Sequence, residues 1–274
     1  MPCYNDGLYI QEAIDSVLAQ TYETVELVII DDCSTDQQTK DILKSIDNPH
    51  ITVLYNSKNL GPSAARNKGI DHASGLYILP VDSDDKIDKT YIQKAVKILE
   101  SDNAIGAVYC QAELFGERSG RWELPDYSFD KMLLDNIVFV TSLFRKSDWE
   151  ACGGFSDEFD TGMEDYDFWL SILGMDKTIC QIPEVLFFYR IKKKSRTTEF
   201  VSNMNSAQEI YRKLFRRHKN FYEKHWDEYC VVLRDALVER ILIYESLKKS
   251  VDVYNKLCRI PGVKWFVKKF MLRK

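Results

Sequence analysis

Over its first 115 residues or so the chain alternates short runs that are apolar at nearly every position with longer stretches of helical spacing, and few topologies accommodate that order. "VELVII" (25–30), "ITVLY" (51–55) and "LYILPV" (76–81) read as strands, the first of them apolar enough to be covered on both faces. Helical patterns over 35–46, 61–74 and 88–100 separate and follow them, and "IGAVYCQAEL" (105–114) is the next strand. Strand, helix, strand, helix implies right-handed crossovers and an α/β fold: a Rossmann-like, mostly parallel sheet sandwiched by helices. The order is less regular afterwards, with a strand at 139–144, a buried helix "EDYDFWLSIL" (164–173) and a late strand "EVLFFYRI" (184–191). Ahead of all this, "MPCYND" reads as a strand-to-helix turn into a helix whose apolar stripe is Ile10, Ile14, Val17 and Leu18, with Asn5 or Asp6 as its cap. A turn of that kind normally follows a strand, so the first strand is expected to be truncated and the true start to lie upstream of Met1. The alternative is a shortened, weakened variant.

The last 78 residues have a different character. From Thr197 onward long helical patterns dominate, with basic clusters at 212–219 and 264–274. The expected organisation is therefore a domain over 1–196 and a helical extension over 197–274. The last 24 residues carry seven Lys or Arg and one Asp, interleaved with Trp265, Phe266, Phe270 and Leu272. That pattern suits an interfacial helix on an anionic membrane surface, the alternative being a solvated helix packed by one face. A net charge of −5 argues against nucleic acid as a partner. The seven cysteines are odd in number and form no C-x-x-C pair, so they read as free thiols in a reducing compartment. No apolar run approaches the roughly 20 residues of a membrane span, and no leader is read at the start. The expected location is cytoplasmic, peripheral on the inner face of the membrane.

Chemistry concentrates where two strands end. "LVIIDD" closes on Asp31 and Asp32, and "LYILPVDSDD" on Asp82, Asp84 and Asp85. Ligands of open α/β sheets bind at the carboxyl ends of the strands. Carboxylates gathered there repel one another unless a cation arrives, and hard divalent cations take carboxylate oxygens. Asp and Ser at strand ends also serve simply as turn formers and caps, but two clusters on one sheet edge weaken that reading. Receiver domains fit poorly, since this chain is far longer and its D-x-D is a cluster, and haloacid-dehalogenase-type phosphatases fit poorly, since the D-x-D lies on a late strand and lacks the phosphatase continuation. A D-x-D holding a metal on a diphosphate fits better. Between the clusters, "NLGPSAARNKGI" (59–70) offers Arg66 for a phosphate or a base carbonyl, and Gly61–Pro62 makes the tight turn into its helix.

At these motifs the chain resembles the family-2 inverting glycosyltransferases of the GT-A, nucleotide-diphospho-sugar transferase fold. "PCYN", "AIDSVLAQTY", "ELVIIDDCSTD", "NLGPSAARNKGI", "GLYILPVDSDD", "GGFSDEF" and "MEDYDFWLSI" occur in the family's order across about the first 190 residues. The resemblance implies a metal-dependent hexosyl or N-acetylhexosaminyl transferase using Mg²⁺ or Mn²⁺. It would move a sugar from a UDP-sugar to a glycan or lipid-linked hydroxyl, with inversion, in cell-surface polysaccharide synthesis. By the same resemblance Pro2 and Tyr4 line the nucleobase pocket, Asp32 accepts a hydrogen bond from the base, and Arg66 lies near base and diphosphate. Asp84 is the direct metal ligand with Asp82 beside it, and Asp82 or Ser83 lies near the ribose or donor sugar. Asp165 matches the catalytic base, Glu164 being the adjacent candidate, and Gly153, Gly154 and Phe155 shape the acceptor floor. One departure is that the family often has a His after the "YR" of the last strand, where this chain reads "YRIKKKS". Lys192, Lys193 or Lys194 serves the diphosphate instead, or all are solvated, the reading preferred here. A catalytically impaired nucleotide-sugar binder and a sugar nucleotidyltransferase are the alternative functions. Trp122, Trp149 and Trp169 are read as core packing before sugar stacking.

Overall fold

A computed structural model describes residues 1–159, 162–192 and 204–257. The chain divides into two compact units, Met1–Lys224 and His225–Lys274. The basic stretch at 264–274, Lys193, Lys194 and the expected boundary at 196–197 lie outside the described residues.

The first unit opens with a small parallel sheet in the order β1 (Pro2–Cys3), β2 (Leu27–Asp31), β3 (Ile51–Tyr55). Every residue of β2 is buried, as its unbroken apolar run requires. Helices α1 (Ile10–Leu18), α2 (Gln37–Ser45) and α3 (Pro62–His72) connect and follow these strands. Asp36 caps α2, accepting the Thr39 N–H at 2.7 Å. Gly61, with φ of 86°, precedes Pro62 in the first turn of α3, the tight entry expected of that pair.

The second sheet is mixed. Its order is β4 (Tyr77–Ile78), β8 (Leu143–Arg145), β6 (Ile105–Gly116), β9 (Thr178–Ile191), β5 (Lys86–Ile87), and β7 (Gly120–Arg121) pairs with β6. Strands β6 and β9 run parallel, while β4, β5, β7 and β8 pair antiparallel with their neighbours. Helices α4 (Tyr91–Ser101), α5 (Phe129–Leu134), α6 (Lys146–Cys152) and α7 (Glu164–Gly174) complete this part of the fold. Tyr166, Phe168, Trp169, Leu170 and Ile172 of α7 are all within 1% of full burial. Phe168 packs at 4.9 Å from the Phe144 ring and 4.4 Å from Phe155. Trp169 donates its indole N–H to the Val138 carbonyl at 3.0 Å, so it is a core residue. Each such side chain contributes on the order of 2–3 kcal/mol by leaving water, which fixes α7 and the carboxylates at its first turn.

Two local expectations are corrected. Leu18 is 43% exposed and Ala13 takes its place in the buried stripe of α1. The strand expected at 76–81 is reduced to Tyr77–Ile78, because Pro80 has no N–H to give a ladder and the chain turns at Asp82. The opening strand is two residues long and pairs with β2 (Pro2 opposite Ile30, Cys3 opposite Asp31), and β4 pairs with β8. A cavity of about 680 Å³, lined by Met1, Val28, Ile78, Val81 and Leu143 among others, lies between the two sheets.

Helices α8 (Met204–Arg217) and α9 (Lys219–Lys224) end the first unit. They are pinned to α7 where the fully buried Asp167 meets His218 Nε2 at 2.7 Å and Arg217 Nε at 2.9 Å. The second unit is built on α10 (Trp226–Leu257), which exposes Val231, Leu237, Ile241 and Leu247. Among the described residues no helix is long and apolar enough to cross a membrane. The six described cysteines are free thiols.

Candidate active site

The acidic turn after β4 is the centre of the site. The Asp85 N–H donates to the Asp82 carbonyl at 3.1 Å, which folds residues 82–85 into a tight turn. Asp85 is 2% exposed and accepts the Arg190 N–H at 2.8 Å, while the Asp84 carbonyl accepts Arg190 Nε at 2.7 Å. The turn is thereby tied to the end of β9. Burial, then the neighbouring Asp84 and Asp82 charges, push the Asp85 carboxyl well above the usual range. Burial also raises Asp84, against the pull of Lys192 and with Asp82 adding to the rise.

Lys192 was expected to be solvated, and the structure corrects that. Its ammonium lies 2.6 Å from Asp84 Oδ2 and 3.1 Å from Asp6 Oδ1, with the side chain 25% exposed. Asp6 also accepts the Ser83 hydroxyl at 2.7 Å. That commitment explains why Asp6 does not cap α1, whose N-cap, Tyr9, makes no side-chain bond. Asn5 does not cap it either. It sits at φ 59° and uses its side-chain carbonyl to hold the Thr35 and Asp36 N–H groups at 2.8 and 2.9 Å. The N-terminal loop is therefore stitched to both acidic strand ends, a role that no local pattern in "CYND" announces.

Arg66, projecting from α3, joins the D-x-D turn to helix α7. It is 5% exposed and donates to Asp82 Oδ1 at 2.9 Å and to Glu164 Oε1 at 3.0 Å. Burial works against its charge, but Asp82 and Glu164 together outweigh it and hold the guanidinium proton more firmly than usual. Glu164, 5% exposed, is therefore occupied by an ion pair. Asp165 follows it in the first turn of α7 and has no such ion pair among the described residues. Burial, then the charge of Glu164, push the Asp165 carboxyl up to about 7, opposed by Arg66, the Tyr166 N–H and Asn136.

Gly153, Gly154 and Phe155 are held by a residue that sequence reading passed over. Asn67, one position after Arg66, accepts the Trp149 indole N–H at 3.1 Å and the Phe155 N–H at 2.9 Å, and donates to the Phe155 carbonyl at 2.7 Å. Gly154 has φ of 75°, and a Cβ there would sit 2.8 Å from both Asn67 Oδ1 and Trp149 Nε1. Only glycine fits. Asn67→Ala leaves three part-buried groups short of partners and should cost about 2–3 kcal/mol. A melting temperature lower by roughly 5–10 °C is the expected result of a thermal scan, and an unchanged one would contradict this assignment.

At the other end, Pro2 and the 43% exposed Tyr4 stand beside Asp32 at the carboxyl ends of β1 and β2. Asp32 is 4% exposed and spends its carboxylate on Asn56 Nδ2 and on the Leu60 and Gly61 N–H groups, at 2.8–3.1 Å. It thus organises the loop that launches α3. The fold brings Asp82, Ser83, Asp84, Arg66 and Glu164 into one hydrogen-bonded network and places Asp165 next to it. Asp32 belongs to a separate cluster.

A divalent cation suits this chemistry. Mg²⁺ is ordinarily held by one or two carboxylates plus substrate phosphates, not by an all-protein cage. The turn offers Asp82 and Asp84, and a cation would relieve both the burial of its carboxyls and the repulsion among them. Among the described residues no three His, Cys, Asp or Glu side chains converge as a cage, so a cation held here would draw its other ligands from phosphate and water oxygens.

The family described as "Glycosyl transferase family 2" matches residues 1–152. A glycosyltransferase of Rickettsia prowazekii, otherwise uncharacterized, is 30% identical over 77% of this chain and 69% of its own length. Glycosyltransferase GlyA of Streptococcus pneumoniae serotype 4 is 29% identical over 95% of this chain, which spans 37% of that longer protein. TuaG of Bacillus subtilis, assigned by name to teichuronic acid biosynthesis, is 29% identical over 79% of this chain and 87% of its own length. Among solved structures, S. aureus TarS 1–349 with UDP-GlcNAc aligns with a TM-score of 0.61 at 21% identity, over 72% of this chain and 59% of that one. The mannosyltransferase PcManGT of Pyrobaculum calidifontis, with GDP-Man and Mn²⁺, aligns at 0.62 and 19% identity, over 97% of this chain and 81% of that one. At those identities the two structures share the GT-A fold.

Proposed function

The chain belongs to glycosyl transferase family 2, and from that premise we propose that it is an inverting, metal-dependent glycosyltransferase of polysaccharide synthesis. The donor is a nucleotide-diphospho-sugar, UDP-linked by family analogy, and the acceptor a hydroxyl of a glycan or lipid-linked glycan. The observation that carries this reading is the network in which Arg66 joins Asp82 of the D-x-D turn to Glu164 of α7, the residue before Asp165. In this reading the turn is the diphosphate-binding end and Asp165 is the basic carboxylate beside it.

In this reading Pro2 and Tyr4 border the nucleobase, and Asp32 faces it while holding the loop 56–61. Ser83 and Asp82 lie near the ribose and sugar. Asp84, with Asp82, would hold Mg²⁺ or Mn²⁺, which when bound neutralises the leaving nucleoside diphosphate. Arg66 positions Asp82 and Glu164. Asp165 accepts the acceptor's hydroxyl proton as the oxygen attacks the anomeric carbon from the face opposite the leaving group. One displacement breaks the sugar–phosphate bond, forms the new glycosidic bond and inverts the anomeric centre. Glu164, neutralised by Arg66, keeps that base in place and raises its affinity for a proton. The helical extension from Thr197, with its basic end, is proposed to contact an anionic membrane surface from the cytoplasmic side.

A carboxyl raised to about 7 is protonated, and useless as a base, below that pH. The kcat/KM should therefore climb about tenfold per pH unit up to an apparent pKa near 7 and then level. A flat profile from pH 5 to 8 would assign the role to a group of ordinary acidity. The reading as a whole is tested by incubating the protein with radiolabelled UDP-sugars and Mn²⁺. Release of UDP without pyrophosphate supports it. Pyrophosphate release would favour a nucleotidyltransferase, and binding without turnover an impaired nucleotide-sugar binder.

A further inference from the structure

Lys192 is the one described cation paired with the Asp84 carboxylate, since Arg190 bonds only the Asp84 backbone carbonyl. It follows the last residue of β9, and the Arg190 bonds to Asp84 and Asp85 fix that strand end against the acidic turn. Its ammonium bridges two carboxylates from distant parts of the chain, Asp84 of the D-x-D and Asp6 of the N-terminal loop. It also lies 5.5 Å from the Tyr9 ring centroid, over the same loop. A divalent ion held by Asp84 would have to share that carboxylate with this ammonium, and the two cations would repel. An arriving nucleoside diphosphate changes that balance, because its phosphate oxygens offer the ammonium a new anionic partner within reach of the same turn.

We propose that Lys192 is a resident counter-cation of the D-x-D turn, which competes with the divalent ion for Asp84 until a nucleoside diphosphate draws the ammonium away. This rests on the donor-site reading given above and goes beyond it. Metal and nucleotide then bind as a coupled pair: the metal alone binds weakly, and each strengthens the other by the same factor. Lys192 acts as a positioning residue, through Asp84 and the diphosphate.

The test measures Mn²⁺ binding by the electron paramagnetic resonance of free Mn²⁺, with and without UDP, in wild type, Lys192→Met and Lys192→Arg. In wild type, UDP should tighten Mn²⁺ binding about tenfold or more. In Lys192→Met, Mn²⁺ without UDP should bind about tenfold more tightly than in wild type, and the gain from UDP should shrink. Lys192→Arg should restore the wild-type pattern. A residue that merely supported the fold would weaken Mn²⁺ binding when removed, so equal or weaker binding in Lys192→Met overturns the proposal while leaving the donor site standing. If wild type binds neither Mn²⁺ nor UDP, the donor-site reading itself fails, and this proposal with it.

Discussion

Asp165→Asn should lower kcat/KM by about 10³-fold, within the roughly 10²–10⁴ expected of a general base, and leave binding of UDP with Mn²⁺ unchanged. The substitution keeps the shape of the side chain and removes its ability to take a proton. The donor contacts assigned above lie on the D-x-D turn and the N-terminal loop, so titration calorimetry with UDP and Mn²⁺ should give the wild-type affinity. The pairing of lost turnover with intact donor binding is the signature of a base. Full activity in this variant would remove Asp165 from the chemistry. Loss of both activity and binding would make it a structural residue. Glu164→Gln provides the contrast. Because Glu164 is already held by Arg66 at 3.0 Å, its loss should appear first in stability and in the acidity of Asp165.

Arg66→Met carries the second large effect. The guanidinium side chain is 4% exposed, and Glu164 beside it 6%. Removing the charge takes the Arg66 ion pair from the buried Glu164 carboxylate and from Asp82, at 32% exposure. Breaking a buried pair in this way costs about 3–5 kcal/mol, and the partial exposure of Asp82 places the value at the lower end. For a unit of this size that is a fall of roughly 10 °C in melting temperature. The variant should also shift the pH profile. Arg66 is one of the groups that lower the Asp165 carboxyl, so without it the base should titrate higher and the rising limb of kcat/KM should move to more alkaline pH. A Met variant as stable as wild type, with the same profile, would show that the Asp82–Arg66–Glu164 bridge is not formed in solution.

The parts of this fold legible from sequence are those with strong local periodicity. Strand β3 and helix α3 fall where apolar spacing and the Gly61–Pro62 turn place them, and β2 is buried at all five positions. The later sheet was less legible. β4 shrinks to two residues, because Pro80 and the Asp82 turn end the ladder, which is a matter of hydrogen-bond supply and not of hydrophobicity. The D-x-D, Arg66 and the acidic pair of α7 stand out by residue type. Their assembly into one network does not, because Arg66 and Glu164 are 98 residues apart in sequence. Asn67 is passed over, and Asn5 is read as a cap of α1, for a related reason. Each satisfies backbone N–H groups on another segment, and an isolated Asn carries no sign of a distant partner. Lys192 was misjudged because a run of lysines ordinarily means solvent, while its neighbour Arg190 anchors the strand end on the acidic turn.

The geometry of attack is open to a direct measurement. With water as the acceptor, an α-linked donor such as UDP-GlcNAc should be hydrolysed slowly in the presence of Mn²⁺, and proton NMR can follow the anomeric signal of the freed sugar before it mutarotates. A single displacement assisted by Asp165 predicts that the β-anomer appears first, that UDP accumulates in step with it, and that both signals vanish in Asp165→Asn. Appearance of the α-anomer first, or hydrolysis undiminished in that variant, would contradict the assignment of the site.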